Sequence, residues 1–314
     1  MKPSYLETGD SVYLLSISRA INFDISNIQN TLESWGLKVI VGTTAISGGY
    51  CQFSGTENER LLDFQKALDD KKIKAIFFCK GGYGAVQIID KVDLSEFVKS
   101  PKWLVGFSDI TLIHSHIHSS FSIETIHGAM PVTFATSSEK DITTLRQCLF
   151  GQTTNFEIDE LENHKIKTVT GHIIGGNLSI LHTLKGTPSD IETDKKILLI
   201  EDTNENLMSI ERMLYALKRT GKFDKLKALL VGDFKIPIAD NETSNSIVKE
   251  YPAPTKDNVE SALKILILNL LSEYDFPICF GLPIGHKAGR NIAVYFGRQT
   301  TISMTSNKLT FDYE

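Results

Sequence analysis

The chain has 314 residues, of which 41% are hydrophobic, and a formal net charge of -5 at pH 7. Its acidic and basic residues are interspersed, without the basic block of a nucleic-acid-binding protein, and its apolar runs are too short to cross a bilayer. Residues 1–10 lack the basic and apolar segments of a secretory signal, so we expect a globular, soluble, intracellular protein with no nucleic-acid or membrane partner.

Strand-like and helix-like segments alternate in the first half of the chain. Apolar runs predict strands over residues 11–17, 37–41 and 73–79, and helical periodicity predicts helices over residues 25–35 and 57–71. Because parallel strands need crossover connections, this order predicts an α/β fold whose parallel sheet carries helices on both faces.

A glycine-rich turn, residues 80–84 (KGGYG), follows the strand predicted over residues 73–79. Glycines at the carboxyl end of a parallel strand let backbone N–H groups approach a ligand, which makes a phosphate cradle one possible use. The run lacks the ending of a P-loop and the spacing of a dinucleotide fingerprint, which disfavours nucleotide binding. A purely structural turn explains the glycines equally well.

Ser108 lies between a short apolar strand and residues with helical spacing. The segment GFSDI, residues 106–110, resembles a nucleophile elbow, with Ile110 where the usual motif has a second glycine. At such a corner the first free N–H groups of the helix would face an oxyanion that forms beside Ser108. Taken alone, this segment favours the simpler interpretation that Ser108 is a helix N-cap.

Metal-binding residue types do not form a metal-binding pattern. The cysteines are scattered, and we expect them to be small buried side chains: Cys51, Cys79, Cys148 and Cys279. On a helix His116 would point away from the face that His114 and His118 share, and no carboxylate or cysteine completes a zinc site. We expect His127 to be a structural histidine, and we predict neither a metal nor a cofactor.

Periodicity weakens and polar residues dominate over residues 151–168. We place a linker there, between an N-terminal domain of residues 1–150 and a C-terminal domain of residues 169–314. Residues 240–257 are polar and rich in turn formers, so they predict an exposed excursion that could line a cleft. The last strands, after residue 290, are expected to be antiparallel, with hairpin turns at Gly297 and Asn307.

The C-terminal domain offers two further candidate site segments. A buried strand over residues 196–202 ends in Glu201 and Asp202, either of which could orient a histidine or cap the helix predicted over residues 207–218. His286 is next to Gly285 and follows a strand, so a loop presents it, as a general base requires. A surface histidine without partners is the alternative.

Four separated segments resemble, in order and spacing, the LD-carboxypeptidase family of serine peptidases. They are KGGYG at residues 80–84, GFSDIT at 106–111, IED at 200–202 and GLPIGH at 281–286. The resemblance extends over nearly the whole chain. It implies an N-terminal parallel-sheet domain, Rossmann-like and amidotransferase-like, and a smaller C-terminal α/β domain with a mixed sheet.

The resemblance also implies a catalytic triad. Ser108 would be the nucleophile, His286 the general base, and Glu201 the carboxylate that holds the imidazole. Folding has to bring these three residues together, because they are widely separated in the chain. The family includes muramoyltetrapeptide carboxypeptidases, so the implied reaction is removal of the terminal D-alanine from a murein tetrapeptide during cytoplasmic recycling, by a homodimer.

By the same resemblance, the oxyanion hole consists of the backbone N–H of Asp109 and one in the turn of Gly81 and Gly82. Two features depart from the family pattern. Lys80 stands where arginine is common, which keeps the charge but loses the bidentate fork. Residues 16–20 lack the Pro-Ser element often found there.

Two alternatives remain open from the sequence. Within the same family, an immunity-type hydrolase would cleave the amide of a peptidyl-nucleotide antibiotic of the microcin C type. In another class, a non-catalytic protein would bind a small molecule or peptide in an α/β cleft, although binding alone needs none of Ser108, Glu201 and His286 in triad roles.

Overall fold

The structure, a computed structural model, describes residues 1–47, 52–152, 155–159, 161–237 and 258–314. Cys51 and the excursion predicted over residues 240–257 lie outside the described residues. The strands are β1 (Ser11–Leu15), β2 (Lys38–Val41), β3 (Ile73–Phe78), β4 (Trp103–Gly106), β5 (Thr125–His127), β6 (Asn155–Ile158), β7 (Glu162–His164), β8 (Thr168–Asn177), β9 (Ile197–Thr203), β10 (Ala228–Lys235), β11 (Ile278–Phe280), β12 (Val294–Phe296), β13 (Gln299–Met304) and β14 (Leu309–Tyr313).

The helices connect these strands and cover the sheets. They are α1 (Ser26–Ser34), α2 (Thr43–Ile46), α3 (Glu57–Asp69), α4 (Ala85–Ile88), α5 (Ser95–Lys99), α6 (Thr111–Phe121), α7 (Glu139–Leu149), α8 (Leu178–Thr183), α9 (Leu207–Arg219) and α10 (Val259–Leu270), with short 3-10 helices at Ile89–Lys91, Ser108–Ile110 and Pro131–Thr136. In the described part of the chain, no helix is both long and apolar enough to cross a membrane.

The first sheet has the strand order β12-β5-β4-β3-β1-β2. Strands β1 to β5 run parallel, as the alternation of strands and helices predicts. Helix α3 begins where the sequence predicts it, because Thr56 and Glu59 form a reciprocal capping box at its N-terminus. The glycine turn and Ser108 follow the carboxyl ends of β3 and β4, where open α/β sheets place their sites.

The second sheet is mixed and curled, with the order β6-β14-β13-β8-β9-β10-β11-β7. Strands β8 to β11 pair in parallel, and antiparallel strands flank them on both sides. The curl brings the two ends of the sheet together: Asn163 of β7 donates hydrogen bonds to the carbonyls of Thr305 and Lys308, in the turn between β13 and β14. The predicted combination of a parallel sheet and a mixed sheet is confirmed.

Strand β12 does not form the hairpin that the sequence predicts at Gly297. It pairs antiparallel with β5 at the edge of the first sheet, whereas β13 pairs with β8 and β14 in the second sheet. Gly297 has φ +79° and turns the chain from one sheet to the other. The hairpin at Asn307 forms as predicted, because β13 and β14 are neighbours in one sheet.

One hydrophobic core is shared by the two sheets. Leu14 and Val105 of the first sheet belong to the same buried cluster as Leu199 and Leu230 of the second sheet. The cysteines at 79, 148 and 279 lie in this cluster, which confirms the prediction that they are small buried side chains. The shared core fixes the position of each sheet relative to the other, and therefore the position of side chains at their facing edges.

Gly175 tests how tightly β8 packs on β9. A Cβ at Gly175 would lie 1.9 Å from the carbonyl oxygen of Leu199, and its φ is +126°. We expect Gly175→Ala to lower the free energy of unfolding by about 2 to 5 kcal/mol, from backbone strain and overpacking together. Gly186→Ala is the matched control, because Gly186 has φ +75° and open space around it. It should cost only about 1 to 2 kcal/mol. Equal losses in urea denaturation would contradict the expected steric overlap.

Candidate active site

Ser108 occupies a strained corner between β4 and a 3-10 helix. Its φ is +62°, in the left-handed region that costs a non-glycine residue about 1 to 2 kcal/mol. Phe107 is at the cap position and Ser108 makes no capping hydrogen bond, so the interpretation of Ser108 as an N-cap is wrong. A strained, partly exposed serine at a strand-to-helix turn has the geometry of a nucleophile elbow.

Gly81 faces this serine. A Cβ at Gly81 would lie 2.9 Å from Ser108 Cβ, 3.1 Å from Ser108 Oγ and 3.3 Å from the backbone nitrogen of Asp109. Gly81 has no positive φ, so glycine is needed there for space. The space in front of the Ser108 hydroxyl is therefore open to a ligand, next to an N–H at the start of a helix that has no intrahelical acceptor.

The buried carboxylate of Asp109 fastens the serine corner to the glycine turn. It accepts hydrogen bonds from Ser18 Oγ at 2.5 Å and from the backbone N–H of Ala85, the first residue of α4, at 3.0 Å. Burial raises the pKa of Asp109, against these two hydrogen bonds and the charge of Arg60, which lower it. The Asp109 side chain thus fixes the distance between the Ser108 corner and the glycine turn, which bound the open space on its two sides.

Sequence reasoning missed Ser18 and Arg60. The Arg60 guanidinium is buried and donates to the carbonyls of Ile17 at 2.7 Å and Gly84 at 3.1 Å, which holds the segment after β1 against the glycine turn. No local pattern indicates these roles. Arg60 belongs to a helix with an ordinary amphipathic pattern, and nothing in the sequence distinguishes Ser18 from the other serines. A charged residue on the buried side of α3 was the only available signal.

Glu201 and His286 form the second part of the site. Glu201, on β9, is fully buried, and its Oε2 lies 2.7 Å from Nδ1 of His286. Its Oε1 has no hydrogen-bond partner among the described residues. Burial lowers the pKa of His286, but the charge of Glu201 and its hydrogen bond outweigh burial, so the pKa is raised. With Nδ1 donating to Glu201, Nε2 is left to accept a proton.

Neither carboxylate at the end of β9 caps the next helix, because Asn206 caps α9. Asp202 instead accepts from Asn177 Nδ2 at 3.1 Å and from the backbone N–H of Ser179 at 2.8 Å. Burial and the neighbouring Glu201 charge raise the pKa of Asp202 to about 7. Asn177 also caps α8 through its side-chain oxygen, which accepts from the backbone N–H of Ile180.

The two parts of the site meet through Phe107. Its ring centroid lies 4.8 Å from that of His286, so the imidazole is beside the residue that precedes Ser108. Ser108 Oγ makes no hydrogen bond to His286 or to any other described residue. The structure therefore joins Glu201 to His286 directly and brings His286 next to the serine corner. Catalytic hydrogen bonds to nucleophiles are often long in ligand-free proteins.

His127 is buried and packs its ring against Phe107 and Phe296, and neither of its ring nitrogens has a hydrogen-bond partner among the described residues. Burial lowers its pKa to about 3. In the part of the chain that the structure describes, no group of three or more histidine, cysteine or acidic side chains is arranged to hold a metal ion.

Both parts of the chain match one family. Residues 12–128 match the LD-carboxypeptidase N-terminal domain and residues 170–302 match the LD-carboxypeptidase C-terminal domain. A probable murein peptide carboxypeptidase of Bacillus subtilis (strain 168) is 32% identical over 302 residues, covering 93% of this chain and 92% of that protein. The murein tetrapeptide carboxypeptidase of Pseudomonas aeruginosa is 27% identical over 311 residues, covering 95% and 94%.

A solved structure of the microcin C7 self-immunity protein MccF superposes on this chain with a TM-score of 0.83. It is 18% identical and covers 99% of this chain and 98% of its own. At that identity the likeness shows a common fold and carries no information about substrate.

The pairing of Glu201 with His286 predicts the direction in which the histidine pKa changes on substitution. Glu201→Gln removes the charge that raises the pKa of His286, so the pKa should fall, as NMR titration of the imidazole can measure. Asp202→Asn is the matched control, since Asp202 raises the same pKa less than Glu201 does. An unchanged His286 pKa in Glu201→Gln would contradict the pairing.

Proposed function

Since the chain belongs to the LD-carboxypeptidase family and is a serine-type carboxypeptidase, we propose that it hydrolyses the LD-amide bond to the terminal D-alanine of murein tetrapeptides. The reaction proceeds through an acyl-enzyme on Ser108, with His286 as general base and Glu201 as its orienting carboxylate. The proposal includes a cytoplasmic role in recycling cell-wall fragments and a homodimeric state.

The observation that supports the triad most strongly is the conformation of Ser108. A left-handed backbone in a non-glycine residue is retained only where the surroundings impose it, and such residues concentrate at active sites. Here the strained residue is a serine, and the space in front of its hydroxyl is bounded by Gly81 and by the backbone N–H of Asp109. A structural serine at a helix start would require neither feature.

In the first half of the reaction, His286 Nε2 takes the Ser108 proton while Ser108 Oγ attacks the carbonyl carbon of the LD-amide. The buried Glu201 carboxylate stabilises the imidazolium that forms, because a charge with no exposed surface interacts strongly with its single described partner. Since this charge raises the pKa of His286, the neutral, reactive imidazole and the rate of hydrolysis increase as the pH rises through that pKa.

The oxyanion of the tetrahedral intermediate is stabilised by the N–H of Asp109 and by one in the turn of Gly81 and Gly82. Loss of one such donor typically costs about 3 kcal/mol of barrier. The imidazolium of His286 then protonates the leaving amine of D-alanine, which departs as the acyl-enzyme forms. Water, deprotonated by the same imidazole, hydrolyses the ester and regenerates Ser108.

Two relatives with murein peptide names support the substrate, a probable murein peptide carboxypeptidase and a murein tetrapeptide carboxypeptidase. Lys80, which replaces the arginine common in the family, is the first residue of the glycine turn, and its Nζ donates to the carbonyl of Ala20 at 3.0 Å. Lys80 is therefore occupied in holding the backbone.

Ser108→Ala should reduce kcat for D-alanine release from a murein tetrapeptide by about 10⁴-fold or more, because it removes the nucleophile. Binding of the peptide, measured by calorimetry, should persist. Ser119→Ala is the matched control: Ser119 is exposed near the end of α6 and bonds to the carbonyl of Asp190, so its loss should leave kcat unchanged. Normal turnover by Ser108→Ala would disprove the nucleophile assignment.

The same assay separates the competing functions. Release of D-alanine from the tetrapeptide, with no turnover of a processed microcin-type adduct, supports the carboxypeptidase. Turnover of the adduct alone would identify an immunity-type hydrolase. Binding without turnover of either compound by the unmodified protein would indicate a non-catalytic binding protein.

Gly81→Ala tests the open space in front of Ser108. The added methyl would lie 3.1 Å from Ser108 Oγ, where the scissile carbonyl has to enter, so kcat/KM should fall by about 10² to 10³-fold. The methyl would also lie 2.9 Å from Ser108 Cβ, so some fall in the melting temperature is expected, and kcat/KM is compared at a temperature where the variant is folded. Full activity in this variant would show that the substrate approaches Ser108 from another side.

A further inference from the structure

Arg19 lies against the glycine turn that faces Ser108. Its backbone N–H donates to the carbonyl of Gly81 at 3.4 Å. A Cβ at Gly82 would lie 2.8 Å from Arg19 Cδ and 2.9 Å from Arg19 Cγ, so the methylene stem of the arginine packs on Gly82. The stem is held beside the proposed oxyanion turn, and the residue is exposed, so its charged head is accessible to solvent next to that turn.

The guanidinium of Arg19 forms no hydrogen bond or ion pair with a described residue. Two other cations differ in this respect, Lys80 in the glycine turn and Arg290 in the loop that follows His286. Lys80 donates to the Ala20 carbonyl, and Arg290 pairs with Asp233 at 3.0 Å. With respect to the residues that the structure describes, the donors of Arg19 are therefore open to an anionic ligand at the edge of the site.

We propose that Arg19 binds a carboxylate of the peptide substrate and so determines specificity. This inference rests on the proposed function, which supplies a peptide whose scissile amide lies at Ser108. The planar guanidinium matches a carboxylate bidentately, in a geometry that an ammonium cannot reproduce. Two carboxylates of a murein tetrapeptide flank the scissile amide: the terminal carboxylate of D-alanine, and the side-chain carboxylate of the diamino acid when that residue is diaminopimelate.

Lys235 is the competing candidate. It is exposed at the end of β10, and its charge opposes the effect of Glu201 on the pKa of His286, so it lies within electrostatic range of the imidazole. The arginine is preferred, because its stem packs on the same turn that faces Ser108 and because its fork suits a carboxylate better. Arg19 and Lys235 can be distinguished by substituting each in turn.

The experiment compares peptides that differ in one carboxylate. The first pair is the tetrapeptide with a free terminal carboxylate and its C-terminal amide; the second pair has diaminopimelate or lysine at the third position. For each pair, kcat/KM is measured with the unmodified enzyme and with Arg19→Ala, Arg19→Lys and Lys235→Met. Arg212→Ala, an exposed arginine on α9, is the control for loss of a surface charge.

Arg19→Ala should lower kcat/KM by roughly 10 to 150-fold for the peptide that carries the recognised carboxylate, as expected for a hydrogen bond to a charged group. It should leave kcat/KM unchanged for the matched peptide that lacks it. The pair whose discrimination disappears identifies which carboxylate is bound. Arg19→Lys should retain part of the discrimination, and Arg212→Ala all of it.

If Arg19→Ala lowers kcat/KM equally for both members of each pair, Arg19 has a structural role and the inference is wrong. The inference is also wrong if Lys235→Met abolishes discrimination within a pair and Arg19→Ala does not. The proposed function fails separately, if the unmodified protein releases no D-alanine. In that case Kd is measured for the same peptide pairs with Ser108→Ala and with the double variant Ser108→Ala, Arg19→Ala. The inference is overturned if the ratio of Kd values within each pair is the same for both variants, or if no peptide binds.

Discussion

The site depends on a carboxylate that the fold has removed from water. Glu201 is fully buried, and His286 is its hydrogen-bond partner among the described residues. An isolated charge in that position would be costly, so the imidazole has to lie beside it, and the carboxylate in turn favours the protonated imidazole. The raised pKa of His286 is the result of this balance, in which burial opposes the effect of Glu201.

A second buried carboxylate performs a mechanical task on the other side of the site. Asp109 joins the corner that carries Ser108 to the start of α4 and to Ser18 after β1. Because three separate chain segments meet at one side chain, the distance between the Ser108 hydroxyl and the glycine turn is set by hydrogen bonds as well as by the sheet. Both carboxylates lie at or just beyond the carboxyl ends of parallel strands, which is where open α/β sheets place their active sites.

The shared core explains how two carboxylates in different sheets can serve one reaction. Leu14 and Val105 pack in the same cluster as Leu199 and Leu230, and β12 returns from the C-terminal half to pair with β5. A close-packed interior is hardly compressible, so the core fixes the two sheets relative to each other. The contact between His286 and Phe107, which come from different sheets, depends on that packing. Movement of one sheet against the other would have to disrupt this core.

The sequence by itself determined the α/β class, most strands and helices, and the identities of Ser108, Glu201 and His286 as candidates, because periodicity and short motifs are local properties. Local patterns gave wrong predictions where residues distant in the chain determine the structure. They predicted a helix cap at Ser108 and a hairpin turn at Gly297, which instead joins the two sheets. Ser18 and Arg19 gave no sequence signal, and Arg60 gave only that of a charged residue on the buried side of α3. Only the tertiary structure assigned their positions, since each acts through contacts with residues that are brought near by the packing of separate strands and helices.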